Sequence, residues 1–256
     1  MSIPEESKEF VTSLARGLSV IKVFNQAATK LSLSEVARLS ELNRATARRF
    51  LFTLSALGYV ESDGKLFWLS PKVLQLGYSY LASQPIVNIV QPFIEQVSKE
   101  TGESCSVSVL DGSEVVYIAR YMTHHIMSVN LGIGARLPVA ATSMGRVLLA
   151  YKSPEEQQAF LENYTPERYT PYTLVERHAL METLAQVRVQ GYAIVNQELE
   201  LGLRSISVPI MNQREQVVAA INVSTQPTRT PESVLLERIL PSLNQAAKRI
   251  YDRLPV

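Results

Sequence analysis

Several things are scarce in this chain of 256 residues. It has one cysteine, three histidines, one tryptophan and no long apolar run. The single cysteine, Cys105, excludes an internal disulfide and fits a reducing compartment. His124 and His125 are adjacent and His178 is distant, so no zinc-ligand spacing is present. A bilayer span needs about 18 consecutive apolar residues, and none occurs. The opening MSIPEESKEF lacks a basic stretch followed by an apolar core, so no secretion signal and no membrane partner are expected, and the cytoplasm is the expected location. The motifs of nucleotide and hydrolase chemistry are also missing. There is no P-loop. Gly132 and Gly134 begin a G-x-G-x-x-G pattern that stops at Leu137. TSMG at 142–145 lacks the leading glycine of a serine nucleophile elbow. Glu198 and Glu200 read as loop residues, with a salt bridge to Arg204, rather than as an acid–base pair. Without a nucleophile, base or metal set, the chain is expected to be no enzyme and to carry no cofactor. An enzyme acting on a small carboxylic acid remains the alternative from another class.

What is present is ample apolar material, 46% against 19% charged, enough for folded cores in one large or two ordinary domains. The net charge of +1 is unevenly split. Residues 1–82 hold ten Lys/Arg against seven Asp/Glu, and the remainder fifteen against seventeen. The bias is modest and its placement matters more. Residues 11–26 set Leu14, Leu18, Ile21 and Phe24 on one helical face. A second helix opens at Ser32 with Glu35 in capping-box spacing, and Val36 and Leu39 facing inward. Ser40–Asn43 is a turn and Asn43 an N-cap. From Arg44, Ala47, Phe50, Leu51, Leu54 and Leu57 form a buried stripe, and Gly58 ends the helix. Arg44, Ala45, Thr46, Arg48 and Arg49 are left facing out. A helix, a tight turn and a second helix with a polar leading end describe a helix-turn-helix, whose second helix enters the major groove of DNA. There Arg reads guanine, Thr and Ala meet the thymine methyl, and other cations hold phosphate.

The runs 59–62 and 65–69, joined by Asp63-Gly64, read as a hairpin and make the motif winged, with Lys65 near the tip as a phosphate contact. Core packing is the favoured role for Phe67 and Trp68. The competing reading is a three-helix bundle with a solvated arginine face, or a winged helix that binds protein. Pro71 opens a linker helix that ends before Pro85, and another helix runs over 86–101 to Gly102. Alternation then predicts strands at 104–110, 114–121, 126–131, 192–196, 205–211 and 217–224. Helices are predicted at 142–151, 153–164, 176–189 and 231–253. This mixture implies an antiparallel α+β domain. In LGIGARLPVAATSMGRVLLA (131–150), Thr142-Ser143 starts a helix whose free N–H groups suit a carboxylate, with hydroxyls from Thr142 and Ser143 and charge from Arg136. On the residues alone, Thr142 serves equally as a plain N-cap and Arg136 as a surface residue.

FVTSLARGLSVIKVF (10–24), the helix-turn-helix, LPVAATSMGRVLLA and GYAIVNQELELGLRSISVPI (191–210) together resemble the IclR family of bacterial transcriptional regulators over nearly the whole length. The first and last are most similar to the branch that controls aromatic-acid breakdown. The resemblance implies an α+β chain: a winged helix-turn-helix (1–70), a linker helix (71–84) and a GAF-like effector-binding domain (85–256). It implies a homodimer, paired into a tetramer, on double-stranded operator DNA with palindromic half-sites, and leaves RNA polymerase open as a further partner. Ser34 joins Arg44, Ala45, Thr46, Arg48, Arg49 and Lys65 as an implied DNA-binding position. By position, the family's effector pocket falls on Ile126, Val129, Leu137 and Leu203 for the apolar wall. Its backbone donors fall on Ser143 and Met144, and its polar contacts on Ser205, Asn222 and Ser224. One position departs: where other members carry an aspartate after the GY strand, this chain has Val195, followed by Asn196. Losing that negative charge favours a larger anion, an aromatic or dicarboxylic acid, over a small keto acid.

Overall fold

The computed structural model describes residues 6–25, 27–123 and 131–255. The chain divides into two compact units, Met1–Tyr80 and Leu81–Val256. The first contains α1 (Thr12–Lys22), β1 (Leu31–Ser32), α2 (Leu33–Leu39), α3 (Arg44–Ala56), β2 (Val60–Ser62) and β3 (Leu66–Leu69). The helix N-termini form as their sequences dictate. Ser32 Oγ accepts from Glu35 N at 3.4 Å while Glu35 Oε2 accepts from Ser32 N at 2.8 Å, which completes the capping box. Asn43 Oδ1 accepts from Thr46 N at 2.8 Å. The core of this unit is built from Val20, Leu31, Val36, Ala47, Leu51, Leu54, Val60 and Phe67.

The stripes of all three helices differ from the expectation. On α1 the inward face is Val20 with Ile21 and Phe24, whereas Leu14 and Leu18 are 64% and 44% exposed. At Gly17 the helix lies against the Phe50 ring, at a distance where a Cβ would make an ordinary 3.7 Å contact. The Gly17–Val20 face therefore packs toward α3, and Leu14 and Leu18 point outward. On α2, Leu39 is exposed and Ala37 is buried instead; on α3, Leu57 falls at the C-cap and is exposed. The wing is a three-stranded antiparallel sheet in the order β1-β3-β2, because residues 31–32 pair with Phe67 and Leu66. Its turn is three residues long. Asp63 Oδ1 accepts from both Lys65 N (2.9 Å) and Leu66 N (2.8 Å), so β3 begins at Leu66, and Gly64 takes the left-handed φ of 93°. Phe67 is core as expected. Trp68, its neighbour in the strand, points the other way: Nε1 donates to Glu61 Oε2 and Lys30 lies over the ring. A 3₁₀ turn at Pro71–Val73 leads into α4 (Leu74–Ser83), which spans the boundary between the units.

The second unit starts with α5 (Pro85–Thr101), capped by Gly102 at φ 76°. It continues with β4 (Ser104–Asp111), β5 (Glu114–Tyr121), β6 (Arg136–Pro138), α6 (Ser143–Ala150), α7 (Pro154–Asn163), α8 (Arg177–Gln190), β7 (Ala193–Asn196), β8 (Arg204–Met211) and β9 (Val217–Thr225). A short α9 (Glu232–Val234) passes through a π turn (Leu235–Ile239) into α10 (Leu240–Tyr251). The strand expected at 126–131 falls almost wholly outside the described residues, as do Ile126, Val129 and the His124-His125 pair; β6 was not expected. The six strands form one antiparallel sheet, β6-β5-β4-β9-β8-β7. One face is apolar. Cys105, Val107, Ile206, Val208, Ile221 and Val223 pack against Ile94 and Val97 of α5 and Leu243 and Ile250 of α10. Strand alternation sends the intervening Ser106, Ser108, Ser205, Ser207, Asn222 and Ser224 to the opposite face, where α6 packs. All eight residues of α6 are buried.

Candidate functional site

A cavity of about 400 Å³ lies where the N-terminal end of α6 meets the polar face of the sheet. Register builds its floor. Ser106 sits directly opposite Arg120 on one neighbouring strand and Asn222 on the other. Ser224 is opposite Ser205, which is in turn opposite Val195. Thr142, Ser143 and Met144 close one side, Leu137 of β6 another, and the loop Leu199–Leu203 a third. A cavity of this size, apolar with a few polar groups, suits a small organic ligand.

The hydrogen-bond inventory gives the cavity its sign. Among the described residues, five buried side-chain polar atoms have no hydrogen-bond partner. Four of them, Arg120 Nε and Nη1, Ser143 Oγ and Asn222 Oδ1, belong to cavity-lining residues. Leaving such a group unpaired costs about 1–3 kcal/mol, so their concentration at one place marks where water or a ligand must supply the partners. Burial lowers the Arg120 pKa, opposed by the nearby Tyr117 hydroxyl. Burial likewise pushes Tyr117 up to about 12, against the pull of Arg120. Near neutral pH the cavity therefore offers the half-buried Arg120 cation beside a protonated phenol, with the Glu200 carboxylate on its loop wall; the unpaired Arg120 donors are the part of the cavity that suits an anion. Among the described residues no cluster of three or more His, Cys, Asp or Glu could hold a metal.

Of the residues singled out from the sequence, Leu137, Thr142, Ser143, Met144, Leu203, Ser205, Asn222 and Ser224 line the cavity. Thr142 does so with its hydroxyl already engaged: it caps α6 by accepting from Gly145 N (3.2 Å) and donates to Pro138 O (3.0 Å). Two expectations fail. Arg136 is not in the cavity; it is held by Glu114 and Asp111, each at 2.7 Å. Its strand neighbour Leu137 faces the cavity, so alternation sends residue 136 away. Asn196 is exposed and accepts from Arg204 Nε at 3.0 Å, while its neighbour Val195 takes the inward position. The partner expected for Glu198 is also different. It pairs with Arg146 at 2.6 Å, deep in the unit, and not with Arg204. Arg120, Ser106, Tyr117 and the loop 199–202 were missed. The signal for Arg120 was available: it is a lone cation in the otherwise apolar run VVYIARY.

In the first unit, Arg44, Ala45, Arg48 and Arg49 are exposed along the leading end of α3, with Thr46 half-buried. Among the described residues no ion pair engages the three arginines. The Arg48 guanidinium lies 4.8 Å from the Phe52 ring centre. Ser34 is exposed on α2 and Lys65 at the wing tip.

A winged helix-turn-helix with a cationic leading end, joined to a unit that holds an anion-ready cavity, defines a ligand-responsive DNA-binding regulator. The comparisons agree. Residues 13–64 match the IclR helix-turn-helix domain, and residues 78–252 match the bacterial transcriptional regulator IclR C-terminal domain. The chain belongs to the IclR family of bacterial transcriptional regulators. It is 42% identical over 247 residues to the Pca regulon regulatory protein of Pseudomonas putida, covering 96% of this chain and 85% of that protein. A transcriptional regulator from Rhodococcus sp. RHA1 of known structure is 46% identical, with a TM-score of 0.85 over 95% of this chain and 98% of that one. An IclR homologue from Microbacterium hydrocarbonoxydans, solved in complex with 4-hydroxybenzoate, is 27% identical, with a TM-score of 0.81 over 94% and 98%. No described helix is long and apolar enough to cross a membrane.

Proposed function

We propose that this chain is a cytoplasmic regulator of aromatic-acid breakdown. In this reading residues 1–70 bind operator DNA through the leading end of α3 and the wing, 71–84 form the linker and 85–256 bind the effector. The effector is an aromatic carboxylate held by Arg120, Ser143, Asn222 and the N-terminal end of α6. The observation that carries this reading is the set of unpartnered polar atoms, two of them on the half-buried Arg120 cation, gathered on one cavity. The 4-hydroxybenzoate bound to the Microbacterium homologue supports the ligand class. The chain acts as a homodimer that pairs into a tetramer. The transcriptional regulators this chain is similar to favour a sensor over an enzyme. Ser205 and Ser224 add polar contacts, and Leu137 and Leu203 apolar ones.

Thermal shift and calorimetry with 4-hydroxybenzoate, protocatechuate, β-ketoadipate and pyruvate test the proposal. A ligand that binds only the folded state at a hundred times its Kd stabilises it by about 2.7 kcal/mol. An aromatic acid is expected to raise the melting temperature. Arg120→Met is expected to abolish that rise while leaving the melting temperature without acid unchanged or higher, since it removes a half-buried cation with two unpartnered donors. A response to pyruvate alone, or to β-ketoadipate alone, overturns the aromatic assignment. A full response in Arg120→Met overturns the role of that residue.

A further inference from the structure

Arg146 and Glu198 line no part of the cavity, yet they stand at the root of two of its walls. Arg146 is on α6, one turn past Ser143. Its Nε donates to Ala140 O at 2.9 Å and its Nη2 to Glu198 Oε2 at 2.6 Å. Ala140 directly precedes the lining stretch Ala141–Met144, and Glu198 directly precedes the lining loop Leu199–Leu203. The Glu198 carboxylate also accepts from Leu174 N at 2.9 Å, and its carbonyl accepts from Thr173 Oγ1 at 2.6 Å. The loop itself closes on its own backbone: Gln197 N donates to Leu203 O at 2.7 Å, with Gln197 in the left-handed region at φ 60°. The ion pair ties that closed loop to α6.

We infer that Arg146 and Glu198 are a positioning pair for the effector cavity, setting the distance between the 140–144 wall and the 199–203 loop. A buried ion pair is a poor source of net stability, because desolvating two charges offsets their attraction. What it supplies is a fixed geometry, since either charge left alone in the interior is costly. The side chains of this pair are only 4% and 12% exposed, so the geometry is enforced.

The test is hydrogen–deuterium exchange on the full-length protein with no acid present, followed by titration with 4-hydroxybenzoate. The variants are Arg146→Met/Glu198→Met, which exchanges the pair for apolar groups of similar reach, and Glu198→Asp, which keeps the charge but draws the carboxylate back. The double variant is expected to exchange about ten-fold faster at 140–144 and 199–203, a local opening made easier with no change at β4 or α10. Its 4-hydroxybenzoate Kd is expected to rise about ten-fold, while operator affinity without acid stays at the wild-type level. Glu198→Asp is expected to show the same local pattern at smaller amplitude. Exchange at 199–203 that stays at the wild-type rate in both variants overturns the proposal. So does a rise spread evenly over loop and core, or failure of the double variant to fold combined with wild-type exchange in Glu198→Asp. The exchange readout needs no ligand. A wild-type protein that ignores every aromatic acid would therefore defeat the effector reading and leave the positioning pair to be judged by exchange alone.

Discussion

Gly145 shows how narrow the tolerances are around the cavity. A Cβ there would lie 2.5 Å from Val139 Cα and 2.6 Å from Thr142 Oγ1, and neither the backbone nor the capping hydroxyl has room to yield. Gly145→Ala is expected to destabilise the second unit by about 2–3 kcal/mol, the usual range for overpacking a tight interior. The readout is a lower urea midpoint at unchanged slope, with weaker acid binding because the α6 end must shift. An unchanged midpoint would mean that the turn before α6 relaxes freely. The arginines make the complementary point. Arg120, Arg136 and Arg146 are one residue type in three situations: unpaired in a cavity, paired at an edge and paired in the interior. Composition does not separate them; strand phase and partners do.

At the level of elements, α3 carries the clearest functional prediction. Arg44→Ala/Arg48→Ala/Arg49→Ala is expected to eliminate operator binding in fluorescence anisotropy while circular dichroism and the melting profile remain those of the wild type. All three side chains are exposed and outside ion pairs among the described residues. Single replacements are expected to flatten the dependence of log K on log salt by about 0.9 for each phosphate contact removed. An unchanged slope in all three singles would show that these arginines do not meet the DNA backbone. The short strands β1 and β6 carry a lesson about legibility. They are two and three residues long, too brief for alternation to register, and exist only because β3 and β5 offer edges to pair with. On α1 the sequence contains two apolar stripes, 11/14/18 and 17/20/21/24. Periodicity alone cannot choose between them; the packing of Val20 and Ile21 into the core of the first unit does.

At the level of the molecule, the stripe that α1 does not bury is the matter to explain. Val11 at the start of α1 and Leu14 and Leu18 on it are exposed, as are Leu74 and Tyr78 on α4, at 74% and 70%. In the homodimer proposed above, a second copy of the chain covers these side chains. Leu14→Lys/Leu18→Lys is expected to shift the sedimentation coefficient toward that of the monomer and to weaken operator binding, because a dimer contacts two half-sites at once. A dimer of undiminished stability in that variant would place the interface elsewhere. The effector enters the same balance. It changes operator affinity only as far as it prefers one arrangement of the assembly over the other.

The sequence by itself determined the parts of this protein that rest on local rules: the capping box at Ser32–Glu35, the Asn43 cap, the arginines left over on α3, the α+β pattern of the second unit and the family. Caps, periods and turns act over a few residues, so they can be read along the chain. Only the tertiary structure decided which polar groups are left without partners. That depends on cross-strand register, which sets Arg120 beside Ser106 across the β4–β5 hairpin and Ser106 beside Asn222 from a strand more than a hundred residues away. It depends also on alternation, which turned Arg136 and Asn196 away while bringing Leu137 and Val195 in. A binding cavity is a statement about unmet hydrogen bonds in an enclosed space, and enclosure arises only when distant segments pack.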